Sequence, residues 1–222
     1  MSSPRKPTRT PLILDFYEKY LDHQDSVALV NSVSQHYGQG TLQRLALSGL
    51  REIRRAAVLA LGFLGDYESN HTLGRAMLDE DRTVRTLAEN GLRSVWTRMG
   101  SEKERREIAI VTRLNDARQY KEVLRRATKL TEQAPWFAEA WHQRAIAFFA
   151  LGRFADAIRD CHEALELNPY HFVAATCMGQ AYLELDNPVS ALESFRRALR
   201  LNPDLEGVRV QVVRLARLVD ER

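Results

Sequence analysis

Cysteine, glycine, proline and long apolar runs are all scarce in this chain of 222 residues, and each scarcity excludes something. Two cysteines cannot build a disulfide framework, which fits a reducing compartment and sets the expectation of a cytoplasmic protein. Glycine and proline number 11 and 7, short of the roughly 12% of residues they usually supply together. Few breakers favour long helices. No apolar run approaches the ~18 residues of a membrane span; Ala56–Gly65 is about the longest. Neither sign of charge dominates, with 32 basic and 29 acidic residues and a net charge of +3. Arg5, Lys6 and Arg9 supply that whole excess, because residues 1–11 hold no acid. The chain is long enough, and at 45% apolar rich enough, to bury a core in one or two domains.

Residues 1–11 hold three prolines, three basic side chains and no large apolar group. Such a stretch cannot offset its chain entropy by burial and is expected to be a disordered basic tail. Pro4, Pro7 and Pro11 break the amphipathic helix of a transit peptide, and no apolar segment follows that would suit secretion.

Catalytic patterns are absent too. There is no G-x4-G-K-[ST], no H-E-x-x-H and no G-x-S-x-G. Gly38-Gln39-Gly40 is followed by Gln43 where a dinucleotide loop has a third glycine, so it reads as a helix C-cap turn. His23, His36, His71, His142, His162 and His171 include no i,i+4 pair that would put two metal ligands on one helix face. Cys161 and Cys177 are expected to approach each other as buried structural residues. The expectation is a protein without catalysis, cofactor or metal.

What the chain does have is repetition. Pro135, Pro169 and Pro203 stand 34 residues apart, and other positions fall into register with them. Ala145 matches Gly179, Phe148 matches Tyr182, Ala157 matches Ala191, Cys161 matches Phe195, and Ala164 matches Ala198. The endings CHEALELNP and FRRALRLNP are nearly the same. Small residues at fixed places let two helices approach closely, and bulky ones fill the space between hairpins. Gly152 ends one helix, while Asn187-Pro188 supplies an N-cap and a first-turn proline for another.

This pattern resembles the tetratricopeptide repeat, with its W-x2-L-G-x2-Y, A-x3-F and A…P signature. Residues 138–169 contribute Trp141, Ala145, Phe148, Ala157, Ala164 and Pro169, with Arg144 and Cys161 departing from it. Residues 172–203 contribute Met178, Gly179, Tyr182, Ala191, Phe195, Ala198 and Pro203, with Ala175 in place of the tryptophan. A degenerate third copy ends at Pro135, with Glu107, Val111, Leu114, Val123, Ala127 and Leu130 at the marker positions. Residues 204–222 place Val208, Val212, Leu215 and Val219 on one stripe, as a capping helix with a polar outer face should.

The resemblance implies a concave groove that binds a peptide or helix of a protein partner. Carried over residue by residue, it would be lined by His142, Ile146 and Phe149, then by Thr176, Gln180 and Leu183, with Ile108, Thr112 and Asn115 less firmly placed. Ile146 and Phe149 are the preferred anchors, and truncating both is expected to leave melting nearly intact. Family members that clamp the C-terminal carboxylate of chaperones use lysine, arginine and asparagine. The matching positions here are Ile108, Thr112, Gln143, Val173 and Cys177, so that mechanism is not expected.

The N-terminal half repeats with a different period. A shift of 31 brings Thr41-Leu42 onto Thr72-Leu73, Arg44 onto Arg75 and Leu47 onto Leu78. It also brings Ile53-Arg54 onto Val84-Arg85, Ala57 onto Ala88 and Leu61 onto Leu92. A short helix, an acidic turn (Asp79-Glu80-Asp81) and a V-R start to a longer helix resemble the short HEAT repeat of phycobilisome-lyase-type proteins. Asp79 and Asp81 are expected to favour the helix dipole and pair with Arg85. Nine arginines against seven acids in residues 41–98 raise an alternative: a nucleic-acid-binding stack using the basic tail and the HEAT-like arginines, with steep salt dependence as its signature. Dilution by acids makes nucleic acid the weaker reading, and a lyase-like activity, tested by tetrapyrrole binding, ranks third.

The sequence therefore predicts an all-α solenoid: a disordered basic tail over 1–11, HEAT-like repeats over 12–99, about three tetratricopeptide hairpins over 100–203 and a capping helix over 204–222. Its expected work is that of a protein–protein scaffold, with no membrane insertion.

Overall fold

The computed structural model describes residues 11–220, so all of the expected basic tail except Pro11 lies outside the described residues. Among them are thirteen α-helices, one short 3-10 turn and no strand, in agreement with the all-α expectation. Two compact units divide between Leu92 and Arg93.

The first unit contains α1 (Leu12–His23), α2 (Ser26–His36), α3 (Gln39–Leu45), α4 (Arg51–Leu64), α5 (Asn70–Ala76) and most of α6 (Arg82–Thr97). The short–long pairs α3/α4 and α5/α6 share a structural detail at an offset of 31 residues. Arg54 Nη1 donates to the carbonyls of Ser48 and Gly49, at 3.0 and 3.3 Å. Arg85 Nη1 donates to those of Asp79 and Glu80, at 2.9 and 3.2 Å. Each long helix thus grips the turn behind it and satisfies carbonyls that the short helix leaves unpaired.

The acidic turn also reaches the preceding copy, a partner the sequence reading did not include. Asp79 accepts from Arg54 Nε and Nη2, at 2.7 and 2.9 Å. Asp81 accepts from Arg55 at 2.9 and 2.5 Å and also caps α6 through the Val84 amide at 3.0 Å. The Arg55 guanidinium holds the Asp81 carboxyl down to about 2. Arg54 is buried, so two of the nine arginines tie one copy to the next. A side chain on Gly62 would come within 3.2 Å of the Gly91 backbone, so α4 and α6 cross there with no room for a methyl group.

The second unit carries the end of α6, then α7 (Glu102–Asp116), α8 (Tyr120–Gln133), α9 (Ala138–Ala150), α10 (Phe154–Leu167), α11 (Phe172–Glu184), α12 (Pro188–Leu201) and α13 (Glu206–Asp220). Its local signals act as the sequence implies. Ser101 and Glu104 form a reciprocal capping box that opens α7. Gly152 takes a φ of +73° after α9, and the Asn187 side chain accepts from the Ser190 amide ahead of α12. The small marker residues Ala145, Ala157, Ala164, Gly179, Ala191 and Ala198 are all buried, with Phe195 against Gly179. The degenerate copy is also a hairpin, burying Val111, Val123, Ala127 and Leu130 between α7 and α8.

Arg144 stands where the repeat pattern has leucine. It donates to both oxygens of the buried Asp160, at 2.6 and 2.9 Å, and to Thr131 Oγ1 at 2.9 Å. Its guanidinium lies over the Trp141 ring, 4.8 Å from the centroid, so a polar pair takes the place of apolar packing without orphaning either charge. The capping helix buries Val208 and Leu215 as expected. Its outer face is not the polar surface that was expected, because Val210, Val213 and Leu218 stand out on it.

Candidate functional site

The first helices of successive hairpins, α9 and α11, carry the six groove positions, and the structure divides them. Thr176, Gln180 and Leu183 share the wall of a cavity of about 560 Å³. Leu205, Glu206, Gly207, Val208 and Gln211 form the opposite side, with Phe195 between. Gly207 has open space where a side chain would stand, and the buried Gln211 Oε1 has no hydrogen-bond partner. Thr176 Oγ1 donates back to the Phe172 carbonyl at 3.0 Å, leaving its oxygen as an acceptor. The cavity thus combines apolar walls with acceptors, as a site for a peptide side chain and its backbone amide requires.

Ile146 and Phe149 lie on α9 and are half-buried. The Phe149 ring meets Phe154 of the same hairpin edge-on, with centroids 5.4 Å apart. Its truncation therefore removes core contacts, and the expectation that melting would survive it is not supported by this packing.

His142 is elsewhere altogether. It is 4% exposed and belongs to a buried polar network that crosses three hairpins. Asn115 of α7 donates to Gln143 Oε1 at 2.7 Å, and Gln143 Nε2 donates to Glu139 Oε1 at 2.7 Å. His171 Nε2 lies 3.0 Å from Glu139 Oε2, and His142 Nδ1 lies 3.4 Å from Glu139 Oε1. The Ala174 amide donates to His171 Nδ1 at 3.1 Å, so His171 caps α11 with a ring nitrogen as acceptor. That bond fixes its tautomer: Nδ1 is bare, and Nε2 carries the hydrogen given to Glu139. Trp96, in the last turn of α6, stacks on the His171 ring at 4.2 Å.

Electrostatics follow from the wiring. Burial opposes the Glu139 charge, but the two imidazoles reverse that and hold its carboxyl far below the ordinary range. Burial likewise disfavours a charged His142, yet Glu139 beside it raises its pKa above 6.5. His171 goes the other way, lowered first by burial and then by the charge on His142. The two imidazoles around one carboxylate are thus shifted in opposite directions.

The ligand atoms of Glu139, His142 and His171 lie within 4.8 Å of one another, close enough by distance for a metal ion. The chemistry of the donor set is against it. A metal on His171 Nε2 requires a hydrogen on Nδ1, where the Ala174 amide already points its own. The geometry suits a proton network. The sequence carried a signal for it in Glu139 and His142 at i,i+3, but the partner His171 is a helix cap, which the i,i+4 search for paired ligands does not reach.

Cys161 and Cys177 are buried and free in one core cluster, as the expected approach implied. The neighbouring sulfur and burial push the Cys161 thiol up.

Comparison with known proteins agrees with the hairpin geometry. Residues 138–171 and 173–205 each match a tetratricopeptide repeat model. Over 82 residues, 35% of this chain, it is 34% identical to tetratricopeptide repeat protein 37 of Xenopus laevis, of which the match covers 5%. Over 79 residues, 36% of this chain, it is 37% identical to the SGT1 homolog of Bos taurus, of which the match covers 23%. The chain therefore spans under a quarter of the length of either relative. The first TPR domain of Spaghetti (RPAP3), solved with the HSP90 peptide SRMEEVD, aligns at a TM-score of 0.52 and 24% identity, covering 55% of this chain and 97% of that one. Tetratricopeptide repeats are present in the C-terminal half of the chain.

Proposed function

We propose that the chain is a non-catalytic adaptor that holds a peptide or helix of a partner protein against the first helices of its tetratricopeptide hairpins, at the α11–α13 end. The observation that carries this reading is the cavity of about 560 Å³ lined by Thr176, Gln180 and Leu183 on one side and by Leu205, Val208 and Gln211 on the other. Apolar anchoring by Leu183, Phe195, Leu205 and Val208 supplies affinity, and the acceptors orient a backbone or side-chain donor. Half-buried Ile146 and Phe149 of α9 belong to the proposed surface as well, and the buried His142 does not.

The HSP90 peptide in the Spaghetti structure has a free acidic end. The absence of any cation among the residues lining this cavity argues for a different ligand here. The matched repeat geometry of Arg54 and Arg85 supports a HEAT-like reading of residues 12–99. Gly100, at a φ of +82°, supports a change of repeat at 99–100, with hairpins over 100–203 and the cap over 204–222. Two free buried thiols fit a cytoplasmic setting.

The test is affinity capture from native lysate with nuclease present, comparing the wild type with Gln180→Arg/Gly207→Arg. Both positions are exposed and line the cavity, and Gly207 has open space beside it, so helicity and melting should hold while partner recovery falls by at least about tenfold. Unchanged recovery by a variant that still folds would move the binding surface away from this cavity. Loss on nuclease treatment alone would favour nucleic acid.

A further inference from the structure

We propose that the outward face of α13 is a second docking surface, shaped for an acidic amphipathic helix of a partner protein. Val210, Val213, Arg214, Arg217 and Leu218 recur at i, i+3, i+4, i+7 and i+8 and so form one stripe, opposite the buried Val208 and Leu215. With Arg209 they line a broad surface hollow of about 870 Å³. Val210 is 67% exposed, Val213 52% and Leu218 46%.

A single exposed apolar side chain is ordinary, but three on a stripe otherwise made of arginine form a contiguous patch. Within the array, α10 packs on α9 and α12 on α11, covering each first helix with a second. Among the described residues nothing plays that part for α13, whose outer face has the composition of a helix–helix seam. The stripe spans eight steps of the helix, about 12 Å, which matches two turns of a facing helix.

Charge selects the occupant. Arg209, Arg214 and Arg217 line the hollow, and among the described residues no acid does. Arg209 is engaged with the Pro203 carbonyl, so Arg214 and Arg217 are the groups that face a partner. A second copy of this chain would bring six arginines to one seam, a like-charge arrangement that disfavours self-pairing. An anionic lipid surface would also attract arginine. The stripe has short β-branched valines and no tryptophan or phenylalanine, which suits knobs-into-holes packing better than insertion among acyl chains. A helix with leucines on one face and flanking glutamates satisfies both the apolar stripe and the cations.

The test uses the full chain and a fluorescein-labelled helical peptide of about 14 residues, with leucine at i, i+3, i+4 and i+7 and glutamate on both flanks. A control peptide has lysine at every glutamate position. Fluorescence anisotropy should give a Kd of about 10–100 µM for the glutamate peptide and binding at least about tenfold weaker for the lysine peptide. Raising salt from about 50 to about 500 mM should weaken the former. Val210→Ser/Val213→Ser should abolish binding with melting unchanged, and Arg214→Glu/Arg217→Glu should invert the preference between the two peptides. Equal binding of both peptides, or none of the glutamate peptide at about 1 mM, overturns the proposal. So does dimerisation in sedimentation that the serine variant abolishes, or capture by phosphatidylserine vesicles in preference to the peptide.

Discussion

Replacing Glu139 by glutamine keeps shape and volume and changes only charge and one acceptor. In the native network the carboxylate accepts from Gln143 Nε2 at 2.7 Å and from His171 Nε2 at 3.0 Å, on different oxygens. A glutamine has one oxygen, so one of those donors must face an amide hydrogen instead. His171 cannot relieve the clash by changing tautomer, because the Ala174 amide occupies Nδ1. One buried donor left unsatisfied costs about 1–3 kcal/mol. His142 also loses the carboxylate that raises its pKa. We expect a loss of about 2 kcal/mol for Glu139→Gln. Glu139→Ala, which orphans both donors and strips the charge from a buried pair, should cost about 4 kcal/mol. At about 2–4 °C per kcal/mol for a chain of this size, the glutamine variant should melt roughly 6 °C below the wild type. Urea titration and thermal melting by circular dichroism at neutral pH measure both. A glutamine variant within about 0.5 kcal/mol of wild type would refute the ionised, doubly accepting carboxylate.

The same network makes opposite pH predictions for its two histidines. His142, raised above 6.5 when folded, contributes stability that is complete below 6.5 and is lost as pH rises through its folded value. His171, lowered when folded, contributes in the other direction, its stability falling as pH drops below 6.5. His142→Gln should therefore remove the loss of stability as pH rises above 6.5, while His171→Asn, which can still cap α11, should flatten the loss below it; urea midpoints across pH decide, and parallel shifts would refute the assignment. Arg144→Ala leaves Asp160 buried without its partner and should cost about 3–5 kcal/mol. Arg144→Leu/Asp160→Leu should recover most of that, and a cycle showing plain additivity would refute the coupling. Gly179→Ala puts a methyl group 2.6 Å from the Phe195 ring and should cost about 1–3 kcal/mol by urea titration; a neutral result would mean that α11 and α12 can part freely. Asp79→Ala removes the two-oxygen partner of Arg54, which keeps Glu80 at 3.1 Å and the Ser48 and Gly49 carbonyls; it should destabilise the first unit by about 2 kcal/mol, and hydrogen exchange confined to residues 11–92 reads it.

Periodicity made the helices legible, because burial of a stripe repeats whether or not the side chains on it are typical. Val111, Val123, Ala127 and Leu130 identified the degenerate hairpin although none is an aromatic marker, and the same positions are buried. Capping chemistry was equally readable at Gly152 and Asn187, since it depends on residues adjacent in the chain. Pairings across repeats were not. Asp79 and Asp81 looked like partners for Arg85 by proximity in sequence, and nothing there pointed to Arg54 and Arg55, which reach them from about 25 residues away. His142 looked like a groove residue by register. Register gives the face of a helix but not what lies over it, and the His171 cap with Trp96 stacked upon it closes that part of the face.

The buried polar pairs each tie together helices that the apolar markers alone do not distinguish. Arg54 with Asp79 and Glu139 with His171 bridge successive repeats, and Arg144 with Asp160 bridges the two helices of one hairpin. Apolar markers recur in every copy and would pack with equal comfort one repeat out of register; a buried charge has one correct partner and leaves an unpaired ion anywhere else. Those pairs therefore select the order and register of hairpins more than they add stability. The Leu/Leu replacement of Arg144 and Asp160 separates the two roles: it should preserve or raise the melting temperature while broadening the transition, as alternative packings become accessible. A variant that melts higher and equally sharply would assign the pair no part in register.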